Sequence, residues 1–107
     1  MPKEDRKVYF SAIDCFGKRI RTSKEYWQNI VRIKHPIIRG KEVEVRKTLS
    51  KPDFVKVSKL DDKVFLYYKK ANRHSICVVT RHEDGSGFII TAYLARSIAQ
   101  GETVWEK

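Results

Sequence analysis

The sequence predicts an α+β domain in which an N-terminal β-hairpin and two helices pack on one face of an antiparallel β-meander. Three observations predict it. After a short β-branched and aromatic pair of segments, the apolar residues of the first half recur at helical spacing. Those of the second half alternate in strand-length runs separated by turn signals. The order hairpin, helices, meander puts the helices on one sheet face and leaves the other free to bind. With 107 residues, 41% apolar and 34% charged, the chain suits one globular domain over residues 1–107. Residues 1–6 are expected to be a flexible tail.

Each element has its own signal. Residues 8–13, VYFSAI, read as a strand. Asp14-Cys15-Phe16-Gly17 supplies a turn, with Gly17 free to take positive φ, and residues 18–21 return as a second strand. Thr22 with Glu25 three residues on forms a capping box. Tyr26, Trp27, Ile30, Val31 and Ile33 then mark a helix ending at His35, because Pro36 disfavours helical geometry in the residue before it. Trp27 is expected in the core. Gly40 breaks the chain, and residues 41–50 form a second helix with Val43 and Leu49 among its apolar positions. Strands follow at 54–58, 63–70, 74–81 and 87–94, the third of them mid-sheet. Residues 95–100 are expected to make one or two helical turns stopped by Gly101, and 103–105 to add an edge strand or pack back on the core.

Charge is the strongest compositional signal. Lys and Arg number 23 against 13 Asp and Glu, a net charge of +10. A small domain this basic attracts polyanions, and nucleic acid is the expected partner. An acidic protein is the other partner that this charge suits. No run approaches the roughly 18 apolar residues of a membrane span. The charged start MPKEDRK has no apolar core behind it, so a cytoplasmic protein is expected. Cys15 and Cys77 have no partner at metal-ligand spacing and are expected to be reduced, buried thiols.

No HExxH, paired CxxC, acidic cluster, GxxxxGK[ST] or GxSxG is present, and no metal or cofactor is expected. His, Lys, Arg, Tyr and Thr remain, and these types suit RNA cleavage without metal. One group takes the 2′-hydroxyl proton, another protonates the leaving oxygen, and cations steady the phosphate. His35, at a helix end, can be acid or base or merely complement the helix dipole. His74 and His82 read as ordinary solvated histidines. On GFIITAYL, Ile89, Thr91 and Tyr93 share one face and Phe88, Ile90 and Ala92 the other, so two hydroxyls lie on one surface. Tyr67-Tyr68-Lys69-Lys70 interleaves aromatic faces with cations, as stacked bases beside phosphates require. One register of the meander sets Tyr68 beside Ile76 and Tyr93, with Lys70 and His74 near that edge. Arg73 stands in the following turn, and Arg81 can reach a phosphate bidentately.

The run DCFGKRIRTSKEYWQNIVRIKHP, then KTLSKPDFV, VFLYYKK, ICVVTR and GFIITAYLARSIAQGETVW resembles the phage-type barnase–EndoU–colicin–RelE-like nuclease domains from about Val8 to Trp105. The resemblance implies N-terminal helices on an antiparallel sheet, with RNA cleaved on the exposed sheet face. Such domains are often toxins of toxin–antitoxin or phage conflict systems. By this resemblance the helix histidine falls on His35, the basic strand positions on Lys69 and Arg81, and the hydroxyl pair on Thr91 and Tyr93. Tyr68, Lys70, Arg73 and His74 would bind the nucleic acid, and His74 could substitute for His35. Two other classes stay open: a non-catalytic RNA- or DNA-binding module, and a basic domain that docks an acidic protein.

Overall fold

The computed structural model describes residues 8–107; the expected tail, 1–6, lies outside them. Strand β1 (Val8–Ile13) and β2 (Arg19–Ser23) form the expected hairpin. Asp14 organises its turn, accepting the Phe16 and Lys18 amides at 3.0 and 2.7 Å on Oδ1, with Gly17 at φ +85°. Helix α1 (Lys24–Asn29) continues as a π-helical turn (Ile30–Lys34) and a 3₁₀ turn (Pro36–Ile38). Its cap is Ser23, whose hydroxyl accepts the Tyr26 amide at 3.0 Å, and not the Thr22–Glu25 box. Thr22 is buried and bonds the Ser23 carbonyl instead. Trp27, Ile30 and Val31 point inward as expected, but Ile33 is 74% exposed. The π turn shifts the helix phase before that residue. Helix α2 (Glu42–Ser50) buries Val45 and Leu49, while Val43 faces outward.

The sheet is completed by β3 (Phe54–Ser58), β4 (Val64–Ala71), β5 (His74–Glu83), β6 (Ser86–Ala95) and β7 (Gly101–Glu106). Its order is β1-β2-β6-β5-β4-β3-β7. The meander β3 to β6 is antiparallel, but the hairpin joins the sheet as a continuation rather than packing on its face. Residues Arg19–Arg21 of β2 pair in parallel with Ser86–Phe88 of β6. The fold is therefore α+β with a mixed seven-stranded sheet. β2 pairs only with the first part of β6, and the 3₁₀ turn packs against that strand.

Both helices cover one face. Their core joins Trp27, Ile30, Ile38, Val45 and Leu49 to Tyr67, Val78, Ile89 and Ala92 of the sheet. The opposite face has a smaller cluster of Leu66, Tyr68, Cys77 and Ala95, with Tyr93 and Ala99 against it. Residues 96–100 cross this face to reach β7, and no helical turn forms there. The reason is reach. The crossing passes four strand spacings, about 19 Å on a flat sheet. Gly101 pairs with Ser58, near the Phe88 end of β6, so the chain must also run back along the strands. Six extended residue steps span at most about 21 Å, and helical ones about 9 Å. An extended segment comes far nearer to that span than a helical one.

Candidate functional site

The pairing registers put two rows of side chains on the face away from the helices. Phe54, Tyr68, Cys77 and Tyr93 form one row across β3, β4, β5 and β6. Lys56, Leu66, Val79 and Thr91 form the next. Thr91 and Tyr93 thus share a face, as expected. Ile89 does not join them. A bulge opposite Val79 and Thr80 leaves Ile90 unopposed, and it turns Ile89 into the helix-side core beside Ala92.

His35 belongs to the same rim. Its amide donates to the Ile30 carbonyl at 2.7 Å, the five-residue bond of a π turn, and its backbone leaves the helix at φ −143°. The ring then lies against Tyr93, centroids 5.3 Å apart. Burial, with the Cys77 thiol and Tyr68 hydroxyl as neighbours, pushes the Tyr93 pKa upward, so its hydroxyl stays protonated and can donate. Thr91 Oγ1 is buried and has no hydrogen-bond partner among the described residues.

The remaining expected site residues divide. Arg81 is on the Thr91 face, but its guanidinium donates to Asp61 Oδ2 at 2.7 Å. Lys69 is on the helix side, opposite Ile76, and its Nζ donates to the Lys51 carbonyl that ends α2, at 2.9 Å. The structure does not bring Lys69 to Thr91 and Tyr93. Tyr68 is fully buried, stacked on Phe54 at 5.0 Å, and its hydroxyl accepts the Ala99 amide at 3.0 Å. Neither face of that ring is open to a base. Tyr68 pairs with Cys77, while Ile76 lies on the other side. Lys70 is exposed, in the row beyond Tyr68 with Ser75 and Ala95. Arg73 is exposed in the β4–β5 turn, which Asn72 closes at φ +60°. His74 starts β5, half-buried and on the helix side.

One constellation had no signal in the sequence. His82 is 8% exposed, not solvated. Its Nε2 lies 2.8 Å from the Tyr67 hydroxyl, which also makes a very short hydrogen bond to Asp14 Oδ2. The phenol has one proton. If Asp14 receives it, neutral His82 donates from Nε2. Phe65 stacks on the imidazole at 3.9 Å and Phe16 meets it edge-on. Burial lowers the His82 pKa to about 4; the Asp14 charge opposes this shift and Lys18 adds to it. The residues are 53 and 15 positions apart, and only the pairing of β4 with β5 and the packing of the hairpin unite them.

No protein-family model matches the chain, and no curated protein or solved structure matches it. Its site must therefore be read from its own chemistry. Among the described residues no three His, Cys, Asp or Glu side chains cluster as metal ligands, and no helix is long and apolar enough to cross a membrane. Both cysteines are free, Cys77 buried and Cys15 only half-buried, with thiol pKa values raised to about 11 by burial.

Proposed function

We propose that this domain is a cytoplasmic, metal-independent endoribonuclease of the barnase–EndoU–colicin–RelE type, acting at the rim where the turns that follow α1 meet β6. The observation that carries the reading is the His35 ring against Tyr93, on the sheet face where the Thr91 hydroxyl lacks a partner. His35 takes the proton of a ribose 2′-hydroxyl. The 2′-oxygen attacks the adjacent phosphorus, the bond to the 5′-oxygen breaks, and that oxygen takes up a proton. The products are a 2′,3′-cyclic phosphate and a free 5′-hydroxyl. Tyr93 donates to the phosphate oxygens as charge builds on them, joined by Thr91 once its buried hydroxyl turns outward. Lys70 and Arg73 hold neighbouring phosphates. Lys69 has no part in this scheme. An acidic antitoxin or immunity protein would block the same basic surface.

A second reading has its own support. Arg81 is held by Asp61, and Lys69 by a backbone carbonyl, so the two cations expected at the scissile phosphate are engaged elsewhere. A domain that binds RNA without cutting it would need neither. A labelled RNA incubated with the protein in EDTA separates the two. We expect cleavage to a cyclic phosphate, and a loss of about 100-fold or more in His35→Ala. Cleavage abolished by EDTA, or undiminished in His35→Ala, would overturn the nuclease reading. Tight, salt-sensitive binding with no cleavage would establish the binding module.

A further inference from the structure

A second basic groove lies on the β1 side of α1, away from Tyr93. It has a volume of about 360 Å³ and is lined by Tyr9, Trp27, Gln28, Arg32, Arg39 and Glu42 among others. Arg32 and Arg39 are exposed, and among the described residues neither has an acidic partner. They flank His35 in sequence, three residues before it and four after it. Glu42, the groove's one carboxylate among the described residues, accepts the Tyr9 hydroxyl on Oε2 at 2.8 Å. That bond ties β1 to the start of α2 and fixes one wall.

We propose that this groove is a second RNA contact, a phosphodiester subsite in which Arg32 and Arg39 grip the backbone of a strand whose neighbouring segment lies at His35. The proposal rests on the RNA reading given above and extends it to a surface that reading does not use. Two guanidiniums opening into one groove match the oxygens of a phosphodiester, each as a planar fork. Tyr9, 43% exposed as a residue, offers an apolar surface to a ribose or base. Glu42 Oε1 offers an acceptor to a ribose hydroxyl and repels bare polyanions. The groove therefore favours a nucleotide chain over polyphosphate.

The test measures binding of a fluorescent single-stranded RNA of twelve nucleotides, by anisotropy, in a His35→Ala background that prevents cutting. Polyphosphate serves as competitor. We expect Arg32→Ala with Arg39→Ala to weaken RNA binding at least tenfold. The slope of log K against log salt should fall by about 0.7, one phosphate contact on a single strand. Arg46→Ala with Lys47→Ala removes the same charge from exposed positions outside the groove and should cost less than threefold. Unfolding midpoints of all variants should agree with the parent. Equal losses from the two double variants would overturn the proposal, as would an unchanged Kd in the first, polyphosphate displacing RNA at equal charge, or no RNA binding by the parent. If the wild type binds through the two arginines but never cuts, the nuclease falls and the subsite stands. If Arg32→Ala with Arg39→Ala binds and cuts like the wild type, the subsite falls and the nuclease stands.

Discussion

Thr91 holds the tension between stability and function in a single atom. Its Oγ1 is buried without a hydrogen bond among the described residues. A buried hydroxyl left unpaired costs about 1–3 kcal/mol. Thr91→Val keeps the shape and removes the unpaired group. We expect the variant to be more stable by about 1 kcal/mol in urea unfolding, and cleavage to fall at least tenfold. A variant that loses stability would show that the hydroxyl has a structural partner. One that gains stability and cuts at the wild-type rate would show that no phosphate uses it. Strand alternation made Thr91 and Tyr93 legible as one face. It could not place Ile89, because the bulge at Ile90 resets the period inside the strand. Nor could it bury Tyr68, since the segment that covers that ring arrives from thirty residues further along the chain.

Among the elements, the end of α1 was legible because Pro36 marks it, and His35 does close the helical run. The π turn was not legible. It inserts one residue into the helical phase through a hydrogen bond that no local composition announces. The crossing to β7 was misread for a related reason: Ala95 to Gln100 has helix-compatible composition, but the distance it must bridge forbids a helix. Gly101 is the hinge of that crossing. It has φ +152°, and a Cβ there would run into the Val57 carbonyl oxygen. Gly85 also has positive φ, +73°, but open space around it. We expect Gly85→Ala to cost about 1 kcal/mol and Gly101→Ala at least about 3 kcal/mol in chemical denaturation. Hydrogen exchange at the Ala99 amide should quicken only in Gly101→Ala, as the crossing loses its seat on the Tyr68 hydroxyl. Equal costs would mean that β7 docks without needing the close approach.

At the scale of the whole molecule, the α+β class and the meander followed from the order of local patterns. The parallel pairing of β2 with β6 did not, because it joins residues more than sixty positions apart over only three residue pairs. That seam is reinforced where no pattern could show it, by the contact of Asp14 in the hairpin turn with Tyr67 and His82 in the meander. Acid should loosen it. The folded pKa of His82 is lowered to about 4, against 6.5 for the free side chain. Between those values the unfolded chain binds a proton that the folded one refuses, so stability rises with pH across that window. The contribution is fully present above pH 6.5, declines as pH falls, and is gone below about 4. Over the window it amounts to about 3 kcal/mol. Among the described residues, Asp14, Tyr67, Cys15 and Lys18 lie about His82, and the Arg21–Glu83 ion pair, 3.7 Å apart, spans the β2–β6 seam itself. His82→Gln removes the titration while retaining a donor for the phenol. We expect urea unfolding free energies of the wild type to fall between pH 7 and 4.5 more steeply than those of His82→Gln, so that the two curves converge. Parallel curves would mean that His82 takes up its proton without leaving the fold, and that its contact with Tyr67 adds nothing acid-labile to the hold on the hairpin.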